Sequence, residues 1–161
     1  MKILLIRSVS FQQVDRQWEE WRKRFPGAEW YILTHAHGEA AAGRYEGLRR
    51  VFVYPWKSPF CWYRPASCLK GESFDCVVVP FSNASGAGFG NVMLFTLTVR
   101  ARRRLSCNLS GQWREWTCFG IFASALVRGM TAVAAGCLAA LAAVPFALWW
   151  VWCFLRGGTR G

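Results

Sequence analysis

A glycine-rich turn after a strongly hydrophobic run is the best candidate for a ligand site in this chain. The run covers residues 75–80, and the turn reads FSNASGAGFG over residues 81–90. Glycine lets the backbone approach a ligand closely, and free N–H groups at the start of a following helix attract anions such as phosphate. The candidate ligand-binding residues are Ser82, Asn83, Ser85, Gly86, Gly88, Gly90 and Asn91.

The spacing of these glycines matches no nucleotide-binding motif. Gly86, Gly88 and Gly90 alternate with single residues, which differs from G-x-G-x-x-G, and no Lys-Ser or Lys-Thr pair follows as it would in a P-loop. A purely structural turn that lets a helix pack closely therefore stays open as the alternative interpretation.

Two histidines lie together at the end of another hydrophobic run. His35, His37 and Glu39 are spaced like the opening of the H-x-H-x-D-H motif of metallo-β-lactamase-like hydrolases, but the chain has only two histidines to offer a catalytic zinc. We therefore expect no metal site, and either histidine could instead lie near a polar ligand. No nucleophile elbow, carboxylate pair or Ser/His/Asp order can be assigned, so catalytic residues stay unknown and no cofactor is expected.

Short hydrophobic runs alternate with amphipathic segments through the first two thirds of the chain. Strands are predicted at 2–7, 29–35, 51–56, 75–80 and 105–108, and helices at 11–25, 38–50 and 91–100, whereas 57–73 follows no recognisable pattern. Alternating strands and helices form right-handed crossovers over a parallel sheet. The sequence thus predicts an α/β, Rossmann-like domain of about five strands over residues 1–111.

Positive charge is concentrated in this domain. It carries an arginine cluster consisting of Arg100, Arg102, Arg103 and Arg104, predicted at the carboxyl end of a helix, where cations are favourable. A basic domain beside a bilayer faces anionic headgroups, so we expect this cluster and Arg128 to contact the membrane surface or a partner. Nucleic acid is not expected as a partner, because no helix-turn-helix, RNP-like or zinc-finger signature occurs.

The last third of the chain is hydrophobic. Residues 129–155 contain no charge, which predicts a transmembrane helix or, because Pro145 can kink it, a re-entrant hairpin. Residues 112–128 repeat aromatic and aliphatic side chains at helical spacing and predict an amphipathic interfacial junction, and 156–161 forms a basic tail. The lipid bilayer is therefore an expected partner.

Localisation follows from the termini and the charges. The apolar run in residues 1–7 is too short for a secretory signal, and the excess of Lys and Arg follows the positive-inside rule, so the amino-terminal domain is expected in the cytoplasm. The seven cysteines form no C-x-x-C pair, which favours reduced, packed thiols.

Three segments of the chain resemble the amino-terminal half of GT-B glycosyltransferases, especially the heptosyltransferase family of the bacterial envelope. They are KILLIR at 2–7, RFPGAEWYILTH at 24–35 and DCVVVPFSN at 75–83. The resemblance implies a domain that holds the acceptor at a bacterial inner membrane, while a second Rossmann domain of the family binds the nucleotide-sugar donor. Here a membrane segment takes the place of that second domain. The glycine turn after the family's first strand is replaced by residues 8–11, and its acidic catalytic position has no counterpart.

Two functions are therefore expected from the sequence. The first is a membrane-anchored, glycosyltransferase-like acceptor-side domain in envelope glycan or lipid-linked sugar assembly, working with a donor-binding glycosyltransferase subunit. The second is a non-catalytic membrane adaptor whose α/β domain docks a cytoplasmic protein.

Overall fold

A single six-stranded sheet organises the amino-terminal part of the molecule in a computed structural model that describes residues 1–157. The strands are β1 Lys2–Ile6, β2 Glu29–His35, β3 Leu48–Tyr54, β4 Phe74–Pro80, β5 Ala101–Cys107 and β6 Trp113–Glu115. The helices are α1 Phe11–Arg24, α2 Glu39–Ala42, α3 Gly90–Thr96 and α4 Cys118–Gly157. The strand order is β3-β2-β1-β4-β5-β6.

The first five strands are parallel, and β1 lies between β2 and β4. Leu4, for example, pairs with Tyr31 on one side and with Val77 on the other. Strands buried on both faces need near-continuous hydrophobic runs, which is what β1, β2 and β4 contain. The order from β3 to β5 is that of a doubly wound Rossmann-like sheet, so the predicted fold class is confirmed.

Each face of the sheet has its own hydrophobic core. Helix α1 covers one face, where Trp18 and Trp21 pack among side chains of β1, β2 and β4. On the other face, α3 packs together with the segment that joins β3 to β4, which contributes Phe60 and Leu69. This segment shows no pattern in the sequence because it covers the sheet with single apolar anchors between turns and not with a periodic helix.

The structure differs from the sequence prediction around the arginine cluster. Helix α3 ends at Thr96, four residues earlier than predicted, and β5 begins at Ala101. Arg102, Arg103 and Arg104 therefore belong to a strand, because β5 pairs in register with β4 from Phe74↔Ala101 to Pro80↔Cys107. Pairing with the adjacent buried strand determines the conformation here, and three charged residues in a row conceal that signal in the sequence.

The predicted junction at 112–128 is also built differently. Its first part forms β6, which pairs antiparallel with β5, and helix α4 begins at Cys118. Residues up to Phe122 form one compact unit, and a second unit follows from Ala123. Ile121 is buried in the core of the first unit. The beginning of α4 thus belongs to the same compact unit as the sheet.

As far as the structure describes it, to Gly157, the second unit is a single hydrophobic helix. The stretch Cys118–Cys153 of α4 has 36 residues, and its most apolar part has a mean hydropathy of 2.0 and is not buried against protein. One helix of the described residues is therefore long and apolar enough to cross a membrane. The helix runs through Pro145 without a turn, so the structure does not form the re-entrant hairpin. The predicted basic tail at 156–161 lies outside the described residues from position 158 onward.

Candidate anion-binding cleft at the carboxyl ends of the strands

A cleft of about 640 Å³ opens where the parallel strands end. Residues from the loops after β1, β2, β3 and β4 line it, and among them Arg7, Ser8, His35, His37, Lys57 and Ser82 are polar or cationic. In doubly wound sheets the chain leaves neighbouring central strands toward opposite faces, here β1 and β4, and this opens a crevice outside their carboxyl ends. The cleft occupies this position, and its volume suits a small molecule.

Arg7 is the central cation of the cleft. Its Nε donates to Thr34 Oγ1 (2.7 Å), its Nη1 to the Val9 carbonyl (3.1 Å), and its guanidinium stacks on the Phe11 ring at 4.7 Å. Burial lowers the pKa of Arg7, an effect opposed by the Tyr45 phenol, yet a guanidinium remains charged in proteins. All of these contacts are neutral, and no carboxylate among the described residues pairs with Arg7. A half-buried cation without a counter-ion attracts an anionic ligand.

The two histidines stand side by side next to this arginine. Arg7 Nη2 lies 3.1 Å from His37 Nε2, and because arginine only donates, this histidine nitrogen is the acceptor. His35 Nε2 lies 3.0 Å from the Ser58 carbonyl, and because a carbonyl only accepts, this nitrogen is the donor. The ring of His35 stacks on that of His37 and packs against Phe60. His37 is therefore held by Arg7 and by the ring of His35, and His35 is fixed by the Ser58 carbonyl.

The rim of the cleft is cationic as well. Lys57 is exposed and forms no ion pair with any described carboxylate. No Asp or Glu of the described residues lines the cleft, whereas Val9, Phe60 and Val92 give it an apolar wall. An arginine, a lysine and two imidazoles around an apolar wall can bind a phosphate or carboxylate attached to a small organic group.

Side-chain hydrogen bonds hold the loops of β1 and β4 together at the cleft. Ser8 Oγ donates to the Pro80 carbonyl (2.6 Å), and the buried Gln13 Nε2 donates to the Phe81 carbonyl (2.8 Å). These two bonds tie the end of β4 and the residue after it to the loop that follows β1 and to helix α1. The wall of the cleft is therefore fixed before a ligand arrives, which lowers the entropy that binding costs.

The glycine-rich turn is mostly closed on itself. Asn83 Oδ1 accepts the Gly86 N–H (2.6 Å), Asn83 Nδ2 donates to the Ala87 carbonyl (2.8 Å), and Ser85 Oγ accepts the Ala87 N–H (3.3 Å). Of the predicted ligand residues only Ser82 lines the cleft. The structure places Ser85, Gly88 and Asn91 at exposed positions, with Gly86 buried and Gly90 as the first residue of α3. The turn shapes one wall and contributes a single hydroxyl.

The arginine cluster divides into buried and exposed members. Arg104 is 8% exposed, and its guanidinium donates to the carbonyls of Thr96, Val99 and Ala101. It therefore cannot face lipid headgroups as predicted, and it satisfies carbonyls from the last residue of α3 to the first residue of β5 instead. Arg103 forms a two-point ion pair with Glu115. Arg100, Arg102 and Arg128 are exposed and remain candidates for a membrane or partner surface.

Three residues of the cleft, Arg7, Ser8 and Lys57, are not evident from the sequence pattern. The available signal is their position: Arg7 directly follows a central strand whose last four residues are buried, and Ser8 follows Arg7. The contact between His37 and this arginine depends on the β1–β2 neighbourhood, which spacing alone does not reveal. Sequence reasoning places the histidines at a strand end, and the structure brings both to the cleft.

Cysteines and metal ligands do not add to the site. All seven cysteines are unbridged, and burial raises the pKa of Cys76 to about 12. The part of the chain that the structure describes holds no group of three or more His, Cys, Asp or Glu side chains arranged for a metal ion. No protein-family model matches this chain, and no curated protein and no solved structure matches it either.

Proposed function

We propose that this protein is a membrane-anchored α/β domain that binds an anionic, sugar-like acceptor in the cleft at the carboxyl ends of β1, β2 and β4. In this proposal it is the acceptor side of a glycosyltransferase-type system at a bacterial inner membrane, with its α/β domain in the cytoplasm, and a separate donor-binding subunit supplies the activated sugar. The resemblance of its first strands to the acceptor half of GT-B glycosyltransferases supports the reaction class.

The observation that carries the proposal is the uncompensated charge of Arg7. This guanidinium is half-buried at the switch point of the sheet, with neutral protein partners and with Lys57 at the rim of the same cleft. A partly buried charge without a counter-ion lowers the stability of a fold, and such a charge is retained where a ligand supplies the opposite charge. A phosphate or carboxylate on a small polar molecule supplies that missing charge.

A separate partner is proposed because the cleft lacks a carboxylate. Glycosyl transfer needs a group that removes the proton from the acceptor hydroxyl as the new bond forms. Among the described residues that line the cleft, only His35 and His37 offer an imidazole that could take this proton, and Nε2 of His37 already accepts from Arg7. The cleft is therefore better suited to hold an acceptor than to activate it alone.

Binding of sugar phosphates tests the cleft directly. We expect the full-length protein in detergent micelles to bind glucose 6-phosphate and inorganic phosphate, and not glucose, by isothermal titration calorimetry. Arg7→Gln should weaken phosphate binding at least about tenfold, since hydrogen bonds to charged groups contribute about 1.5–3 kcal/mol. Lys57→Gln should weaken it less, because that side chain is exposed.

The matched control is Arg16→Gln, which removes one exposed charge from α1 outside the cleft. This control should bind glucose 6-phosphate like the unmodified protein. Equal binding of glucose and glucose 6-phosphate, or equal weakening by Arg7→Gln and Arg16→Gln, would show that the cleft does not select anions.

The adaptor function is supported by a different feature. Three aromatic side chains on the segment between β3 and β4 are exposed: Trp56 by 45%, Trp62 by 58% and Tyr63 by 62%. Aromatic side chains of this size are typical anchors of protein interfaces. Co-purification from membranes separates the two functions, because a donor-binding glycosyltransferase subunit is expected in the first case. In the second, a different protein should co-purify, and it should be lost with Trp62→Ala and Tyr63→Ala.

A further inference from the structure

The opposite edge of the sheet, where the parallel strands begin, carries a second set of cations. Lys2, Arg100 and Arg102 line a shallow hollow of about 470 Å³ around the starts of β1, β4 and β5. A neighbouring hollow of about 480 Å³ shares Arg100 and adds Lys70. The two hollows thus form one continuous surface, which we call the amino-terminal edge.

The charges on this edge are only partly compensated. None of these four cations forms an ion pair with a described carboxylate. Asp75 lies in the first hollow, where its carboxylate accepts the backbone N–H of Lys2 at 2.8 Å, and the nearby Glu72 pairs with Arg50. Four cations therefore face one carboxylate across the two hollows, and the edge presents positive charge to solvent.

Apolar groups lie directly beside these cations. The second hollow is lined by Ala66, Leu69 and Val99, each less than a tenth exposed, with Lys70 and Arg100 on its rim. A cationic rim around an apolar floor matches the interfacial region of a bilayer, where phosphates lie above the first methylene groups. The phosphate backbone of a nucleic acid would contact the cations without using the apolar floor.

The path of the chain leads toward the same edge. Strand β6 runs antiparallel to β5, from Trp113 opposite Cys107 to Glu115 opposite Leu105, and the Trp116 N–H then donates to the Arg104 carbonyl. The chain thus moves toward the start of β5 just before the hydrophobic helix begins. This part of the chain therefore approaches the amino-terminal edge while it is still within the α/β unit, which ends at Phe122.

From these features we infer that the amino-terminal edge docks on the headgroups of an anionic membrane, with Lys2, Lys70, Arg100 and Arg102 contacting lipid phosphates. The docking orients the α/β domain on the bilayer and is a separate function from ligand binding in the cleft. It replaces the predicted role of the arginine cluster with a composite surface that draws on β1, β5 and the segment before β4. Arg104 is excluded from this surface because it is buried.

Photo-crosslinking of the full-length, membrane-reconstituted protein tests the docking. The photoreactive residue p-benzoylphenylalanine is placed at Ser73, exposed just before β4 on the amino-terminal edge, or at Ala84, exposed beyond the other end of the same strand. In vesicles with about 30% phosphatidylglycerol, Ser73 should give at least about fivefold more lipid adduct than in phosphatidylcholine alone, because each surface cation binds anionic lipid favourably. Ala84 should give little adduct in either vesicle.

A charge-matched pair of variants completes the experiment. Arg100→Gln with Arg102→Gln removes two of the four cations and should lower the Ser73 adduct in anionic vesicles at least about twofold, whereas Arg16→Gln with Arg114→Gln should leave it unchanged. Equal adduct from Ser73 and Ala84, no dependence on lipid charge, no lipid adduct at all, or equal loss in both variant pairs would overturn the inference. The comparison of anionic with neutral vesicles uses the protein without charge substitutions, so it tests the inference even if a variant folds poorly.

Discussion

The glycines of the turn after β4 have distinct tasks that the residue type alone does not reveal. Gly86 and Gly88 both adopt positive φ, +69° and +84°, where side chains other than glycine are strained. A Cβ on Gly86 would also lie 2.7 Å from Cε2 of the Phe81 ring, whereas a Cβ on Gly88 would meet nothing within 4 Å. The first glycine therefore serves packing, and the second serves only the backbone conformation.

This difference predicts unequal costs for the same substitution. Gly86→Ala should lower the free energy of unfolding by about 2–3 kcal/mol, because strain adds to the clash with the buried Phe81 ring. Gly88→Ala should cost about 1 kcal/mol from backbone strain alone. Urea denaturation of the full-length protein in micelles, followed by tryptophan fluorescence, measures both. Equal costs would show that the ring moves aside, and a neutral Gly86→Ala would contradict the role of this glycine in packing.

At the scale of elements, strand β6 fastens the start of α4 to the sheet. Trp116 follows it directly, donates its indole N–H to Ser106 Oγ at 2.8 Å, and packs against the core that also holds Ile121. We expect Trp116→Phe with Ser106→Ala to show a coupling energy of about 1 kcal/mol in a double-mutant cycle, as for a partly buried neutral hydrogen bond. The pair Trp113→Phe with Ser106→Ala is the control and should be additive within about 0.5 kcal/mol.

The same elements show how far sequence patterns reach. β1, β2 and β4 can be predicted nearly to the residue because burial on both faces demands uninterrupted apolar runs. The predicted start of β5 is four residues too late, and β6 is not predicted at all. Strands toward the edge of a sheet tolerate charged residues, and the conformation of these two comes from pairing with β4 and β5. For the site, the strand-end histidines and Ser82 can be predicted from the pattern. Arg7 and Lys57 require the topology that brings four loops together.

For the molecule as a whole, the cleft and the amino-terminal edge, the two surfaces to which we assign functions, lie at opposite ends of the parallel strands. The cleft is at their carboxyl ends and the cationic edge at their beginnings, separated by strands of five to seven residues, or about 17–23 Å. If the cationic edge rests on the headgroups, the cleft opens toward water. The acceptor in the proposed function would then be a water-soluble anionic sugar, or one whose polar part extends well above the membrane surface.

The proposals for both surfaces assume that α4 anchors the protein in the membrane, and this assumption can be tested by substitutions in α4 itself. Nine Leu, Val or Phe residues between positions 129 and 155 favour insertion by about 0.3–0.6 kcal/mol each, or about 3–5 kcal/mol together. Two central arginines would cost about 5–7 kcal/mol, which exceeds that gain. Leu141→Arg with Val144→Arg should therefore release the protein from membranes washed with alkaline carbonate, and Leu141→Val with Val144→Leu should leave it in the pellet. Retention of the arginine variant would mean that another part of the protein holds it to the membrane, and release of the unmodified protein would remove the premise of anchoring.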